Sequence, residues 1–243
     1  LKVLGIFSRL HIRDRKSGYL SHIPRVTKML KLNLELNEFE RLREIINPLI
    51  DWYCMKKENM QAMILAAGFG KRMLPLTNTI PKPLVEVNKK PLLHHTIDKL
   101  LNNSIKDIVV NTHYLPREIK SSILRNYPNY FKIIHEDEIL ETGGGVLNAI
   151  KKKYIRNINP FFVLNGDIFW LEKDNSVFKE LINNFDDKRM EILVVLKRTK
   201  NFFGYSGNGD FNLVKKNEKL SRVTNFDKKK EYVYTGLQLV SPE

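Results

Sequence analysis

The stretch Leu65-Ala66-Ala67-Gly68-Phe69-Gly70-Lys71-Arg72-Met73-Leu74-Pro75-Leu76-Thr77, followed by Pro81-Lys82-Pro83-Leu84, sets small residues beside cations. Small side chains at Ala66, Ala67, Gly68 and Gly70 let backbone N–H groups approach phosphate oxygens and a base edge, which branched side chains would obstruct. Arg72 offers a fork for pyrophosphate oxygens, and Lys82 a point charge for phosphates that meet at a reaction centre. The string is not a Walker loop, which needs Gly-Lys-Ser or Gly-Lys-Thr, nor a dinucleotide fingerprint, because Met73 stands where the third glycine belongs. Taken alone, the two glycines also suit a tight turn between a strand and a helix.

Two other segments invite a chemical reading. Leu140-Glu141-Thr142-Gly143-Gly144-Gly145 is a second glycine-rich loop, placed between a strand and a helix. It can equally be a helix start capped by Thr142, and the two readings are compatible because a helix start favours an anionic ligand. Asn165-Gly166-Asp167 follows the apolar run 161–164, so the Asp167 carboxylate is expected at the carboxyl edge of a central strand. His94 and His95 fall on a predicted helix; with His113 and His135 they read as structural.

These residues need a scaffold, and the hydrophobic pattern supplies one. Strands are expected over 62–66, 107–111, 131–135, 161–164 and 192–196, alternating with helices over 91–101, 116–124, 145–152 and 177–184. Such alternation predicts an α/β fold with a mostly parallel sheet covered by helices, and ligands at the carboxyl ends of its strands. The rhythm then changes: 210–215 and 220–225 flank a polar turn at 216–219, and 232–240 alternates like another strand. These segments are expected to form an antiparallel addition at one edge of the sheet. Ahead of the α/β region, apolar residues recur at helical spacing over 23–52, with Pro24 and Pro48 as breakers. Residues 1–57 thus read as a small helical appendage, joined through Lys56-Lys57-Glu58-Asn59 to a domain over 60–243.

Composition narrows the classes. Among 243 residues the net charge is +14, but the basic runs at 151–153, 215–216 and 228–230 are dispersed, which suits a solvated surface better than a nucleic-acid face. The single cysteine, Cys54, leaves no internal disulfide and no cysteine metal site, so a reducing cytoplasm is expected. No apolar stretch approaches the about 18 residues that span a bilayer. The opening Leu1-Lys2-Val3 reads as the interior of a longer chain.

Leu-Ala-Ala-Gly, Gly-x-Arg, Pro-x-Thr and Pro-Lys-Pro-Leu, taken with Leu140 to Gly145, Asn165-Gly166-Asp167 and Gly209-Asp210-Phe211, resemble the signature of the sugar-1-phosphate nucleotidyltransferase family. The likeness covers about three quarters of the chain, from Met60 to Pro242. Within the family it is nearest to the branch that transfers UMP from UTP to N-acetylmuramate-1-phosphate, a step of peptidoglycan recycling; mannose- or glucose-1-phosphate are the alternatives. The resemblance implies a Rossmann-like, GT-A-like three-layer sandwich and a Mg2+-dependent reaction that releases pyrophosphate. It implies nucleotide contacts from Leu65, Ala66, Ala67, Gly68, Gly70, Lys71, Arg72, Glu141 and Gly143, and catalytic roles for Arg72 and Lys82. Asp167 is the implied metal ligand, and Asp210, Thr235 and Gly236 the implied sugar contacts. No imidazole base is needed, because the attacking phosphate is already ionised. The implied partners are a nucleoside triphosphate and a sugar-1-phosphate, with no nucleic acid and no membrane.

Two departures temper this. The family's second metal-binding aspartate, in a Trp-x-Asp-x-Gly-Thr-like segment, has no counterpart in this sequence, so a C-terminal truncation is expected, and a non-catalytic nucleotide- or sugar-phosphate-binding regulator is the rival reading. Segments Leu1 to Leu10 and Gly18 to Val26 resemble the C-terminal end of an aminoglycoside-phosphotransferase-like sugar kinase, without that family's catalytic aspartate motif.

Overall fold

The computed structural model of the protein describes residues 60–156, 159–172, 176–215, 221–226 and 229–242. The appendage, the kinase-like segments, the linker and the turn at 216–219 lie outside the described residues. The central sheet has six strands: β1 (Gln61–Leu65), β4 (Asp107–Thr112), β5 (Phe131–His135), β6 (Phe161–Asn165), β7 (Ile192–Arg198) and β10 (Tyr232–Val240), while the short β2 (Glu86–Val87) and β3 (Lys90–Pro91) pair with each other. Their spatial order is β5-β4-β1-β6-β10-β7.

Alternate side chains of the parallel strands point to opposite faces. Ala62, Ile64, Ile108, Val110, Phe162 and Leu164 pack against α1 (Leu92–Asn102), α2 (Pro116–Asn126) and α4 (Val177–Asn184). Met63, Val109, Ile134, Phe161 and Val163 pack under α3 (Glu141–Lys151), which contributes Ala149, Val146 and Ile150. Burial on both faces accounts for the near-continuous apolar character of β1 and β6. Helices on both sides of the sheet make the expected three-layer α/β sandwich.

Three expectations about the elements are corrected. First, β10 is not an edge strand: it pairs antiparallel with β6 on one side and β7 on the other. Leu237 and Leu239 bury into the core beside Phe162 and α4, which makes an interior place favourable. Second, β8 (Asn212–Lys215) and β9 (Ser221–Thr224) pair with each other in a separate two-stranded sheet. Third, α3 starts at Glu141 rather than Gly145, with Leu140 at its N-cap and no side-chain cap, so Thr142 lies inside the helix. Glycine disfavours a helix interior by about 1 kcal/mol relative to alanine. At Gly145 close packing requires it, since a Cβ there would lie 2.9 Å from both Asn111 Nδ2 and Glu136 Oε1.

On the other face, the buried His94 of α1 has its Nε2 2.9 Å from Ser122 Oγ of α2 and packs edge-on against Tyr127. Burial, reinforced by the nearby Lys90 and His95, holds its pKa below the usual 6.5. The unfolded chain therefore takes up a proton that the folded one refuses. This contribution to stability is complete above about pH 6.5 and is lost as pH falls through the lowered folded value. The melting temperature is expected to drop as pH is lowered from about 7 to about 5, and His94→Gln, which keeps a partner for Ser122, should flatten that slope. Thermal melts of the two proteins at both pH values check this; equal slopes would remove His94 as the cause.

Candidate active site

The chain runs from β1 outward to β4 and β5, then returns across the sheet to β6 on the other side of β1. A crevice opens at such a reversal, outside the carboxyl ends of the strands. Leu65 pairs in register with Asn111 on one side and Asn165 on the other, so three strands end level there. A cavity of about 370 Å³ lies above them.

The glycine loop forms one wall. Leu65, Ala66, Ala67, Gly68, Gly70, Lys71 and Arg72 all line the cavity. A Cβ on Gly68 would meet nothing within 4 Å, so this backbone is open to a ligand. Gly70 has φ +67°, a left-handed conformation that favours glycine. A Cβ at Gly70 would lie 3.0 Å from Thr77 Cγ2 and 3.1 Å from Lys82 Cβ. The Thr77 hydroxyl donates to Gly70 O at 2.9 Å, which ties the loop to the segment carrying Lys82. Arg72 is exposed and makes no ion pair among the described residues.

Lys82 opens a short 3-10 turn, Lys82–Leu84, behind the extended Pro81. Its ammonium donates to the Asp167 carboxylate across the cavity floor. Both side chains are about three-quarters covered, with 23% and 26% of their surface exposed. Asp167 is held there because Gly166 N donates to Leu65 O at 2.8 Å, where a Cβ on Gly166 would come within 3.0 Å of that same oxygen. Glycine at this position thus folds the carboxylate back over β1.

The opposite wall is the start of α3, with Ile139, Glu141 and Thr142 on the lining. Glu141 holds φ +56°, an uncommon conformation for a residue with a side chain. Gly143 lies outside the lining. So do Asp210, Thr235 and Gly236, which group around β10. Gly236, at φ +86° in the register break of β10, approaches the back of Asn165: a Cβ there would be 2.9 Å from Asn165 Nδ2 and 2.8 Å from Ile168 Cγ2. The Thr235 hydroxyl donates to Val195 O at 2.9 Å, and Asp210 Oδ2 accepts from Tyr234 N at 2.8 Å.

Asn111, Glu136, Ile139, Pro83, Thr142 and Asn165 complete the lining; the last three stand in motifs quoted from the sequence without a site role, and the first three were not singled out. The available signal was a polar residue at the end of a buried strand, as at Asn111. The four histidines are off the lining; His95 Nε2 lies 2.8 Å from Val87 O and His113 Nδ1 2.8 Å from Glu136 O.

No group of three or more His, Cys, Asp or Glu residues among the described residues could cage a metal ion. Three carboxylates line the cavity: Glu141 at the start of α3, Glu136, whose oxygens accept from Asn111 Nδ2 and Leu140 N, and Asp167 on the floor with the Asn165 amide; Asp167 is the one the resemblance implies for the metal. That donor set fits Mg2+, which commonly takes one or two carboxylates and completes its shell with substrate phosphates and water.

Residues 61–232 match the model of the nucleotidyl transferase family. The chain is 34% identical over 187 residues to N-acetylmuramate alpha-1-phosphate uridylyltransferase of Caulobacter vibrioides, covering 75% of each protein. It is 39% identical over 127 residues to mannose-1-phosphate guanyltransferase of Hypocrea jecorina, covering 51% of this chain but only 33% of that one. In structure it is similar to HddC from Yersinia pseudotuberculosis complexed with GMP-PN, with a TM-score of 0.56, 23% identity, and 76% and 77% of the two chains covered. At that identity the likeness establishes the fold alone. No helix among the described residues is long and apolar enough to cross a membrane.

Proposed function

This chain belongs to the nucleotidyl transferase family and is a sugar-phosphate nucleotidyltransferase, and from that premise we propose that its substrates are UTP and N-acetylmuramate-1-phosphate. The observation that carries the reading is the Lys82–Asp167 pair on the floor of a cavity walled by the glycine loop. Support for the base and the sugar comes from the uridylyltransferase relative, which is matched over three quarters of both chains, whereas the guanyltransferase is matched over a third of its own length.

In the proposed reaction a phosphate oxygen of the sugar-1-phosphate attacks the α-phosphorus of the triphosphate. A new P–O bond forms, the bond to the bridging α–β oxygen breaks, and pyrophosphate leaves with that electron pair. Two anions must meet, so positioning and charge neutralisation dominate. The glycine-loop N–H groups and Arg72 hold the triphosphate, and Lys82 lies where the two phosphates converge. Asp167 would hold Mg2+, which would supply further positive charge at the phosphates. Before Lys82 can serve a phosphate its ammonium must leave Asp167. Asp210, Thr235 and Gly236 are assigned to the sugar side, with Thr235 offering its lone pairs because its proton is engaged by Val195. Residues 60–243 form the transferase domain in this proposal, and its setting is cytoplasmic peptidoglycan recycling.

Pyrophosphate release from each of UTP, GTP, CTP, ATP and dTTP, paired with N-acetylmuramate-, mannose- and glucose-1-phosphate, tests the choice. UTP with N-acetylmuramate-1-phosphate is expected to exceed any other pair by about tenfold or more, a difference of about 1.4 kcal/mol in barrier. A preference for GTP with mannose-1-phosphate would overturn both substrate assignments and leave the family intact.

A further inference from the structure

Ala66, after β1, lines one wall of the cavity, and Leu140 is the N-cap of α3, whose start forms the opposite wall. Two side chains of the cavity lining connect them. Ala66 N donates to Asn111 Oδ1 at 2.8 Å, and Asn111 Nδ2 donates to Glu136 Oε1 at 2.8 Å. Leu140 N donates to Glu136 Oε2 at 3.4 Å, the longest link. Both side-bearing residues are 2% exposed. The backbone of Glu136 is fixed as well, its N–H donating to Thr112 O at 2.9 Å and its carbonyl lying 2.8 Å from His113 Nδ1.

We infer that Asn111 and Glu136 are positioning residues that set the separation of the two walls between which the nucleotide binds. The inference rests on the proposed function in one respect, that this cavity takes a nucleoside triphosphate. The polarity of the links makes the assignment specific. Ala66 N–H fixes Asn111 Oδ1 toward β1, which leaves the Asn111 amide nitrogen to face Glu136. Leu140 N–H occupies the other carboxylate oxygen. Glu136 must therefore accept at both oxygens, which a carboxylate can do and an amide cannot. The negative charge also lies at the start of α3, where the helix end favours it. Gly145 confirms how little slack remains, since any Cβ there would press on both partners at 2.9 Å.

Glu136→Gln then turns a donor against either Asn111 Nδ2 or Leu140 N–H. Asn111→Asp sets a carboxylate against a carboxylate. Combined, the two substitutions restore every link with the charge moved one place along: the new carboxylate accepts from Ala66 N and from the new amide, whose oxygen accepts from Leu140 N. A buried network that tolerates neither single change but accepts the exchange is coupled through that pair.

The test compares wild type, Asn111→Asp, Glu136→Gln and the double variant of the native protein, all with Mg2+. Each single variant is expected to raise the KM and Kd for UTP by about tenfold or more and the sugar-phosphate KM by less than about threefold, with the double variant within about threefold of wild type. Hydrogen exchange at the Ala66 and Leu140 amides should speed up in the single variants and recover in the double, a readout that needs no nucleotide. Folded single variants with unchanged UTP affinity, or a double variant as impaired as the two losses combined, would overturn the inference alone. If wild type binds another nucleoside triphosphate in place of UTP, the base assignment of the proposed function falls, and the same comparison with that nucleotide decides the inference. Binding of none of the five would remove the reading of the cavity and this inference with it.

Discussion

Replacing Lys82 by alanine is expected to lower kcat by about a hundredfold or more, because one charge-assisted contact at a developing transition state is worth roughly 3 kcal/mol. The fold should survive. Lys82 lies in a surface turn between Pro81 and Pro83, and its ammonium bonds to a side chain that itself reaches solvent in the cavity, so no buried charge is stranded. Lys82→Arg keeps the charge but spreads it over a planar group that the space beside Gly70 does not favour, and should recover only part of the rate. Steady-state pyrophosphate release and thermal melting, run on the same preparations, separate the two effects. A Lys82→Ala protein with near wild-type kcat would remove Lys82 from the chemistry.

Asp167→Asn is expected to have an effect of the same size by a different route. The substitution is nearly isosteric, so the corner formed by Asn165, Gly166 and Leu65 should keep its geometry. What changes is charge: the amide loses the anionic oxygen that suits Mg2+ and weakens the hold on Lys82. The expected outcome is a fall of about a hundredfold or more in Mg2+-dependent turnover, with the Mg2+ concentration for half-maximal rate displaced upward and the circular-dichroism spectrum unchanged. Full activity at saturating Mg2+ with an unshifted half-point would show that the ion is held elsewhere.

How far this architecture could be read in advance depended on whether its cause was local. The strand Phe131–His135 and the helix Val177–Asn184 carry their own periodicity and breakers, and their bounds agree with expectation. Gly68, Gly70, Arg72, Lys82 and Asp167 were legible because they sit in short strings of unusual composition; all five reach one cavity. The start of α3 was not legible. Three successive glycines read as a loop until the neighbours of Gly145 are known, and those neighbours come from β4 and from the residue after β5. Asn111 and Glu136 were hidden for the same reason, since each acquires meaning only when β1, β4 and β5 lie side by side. The place of β10 likewise follows from pairing across the sheet, which an alternating pattern alone cannot specify.

The interior position of β10 has a consequence for how the protein is made. Leu164 of β6 pairs with Leu237, and among the described residues every sheet partner of β7 also lies within residues 232–240. While a ribosome is still translating the segment after Arg198, β6 presents an open edge beside the future active-site corner, and β7 lacks its described sheet partner. Such edges recruit other strands, so the nascent chain passes through a stage prone to mispairing and to chaperone capture. Closure then joins strands separated by about 70 residues of chain, a long-range pairing of the kind that slows folding. The catalytic floor is thus finished late, and a ribosome stalled between β7 and β10 would release a species that is aggregation-prone, however well β1, β4 and β5 have formed.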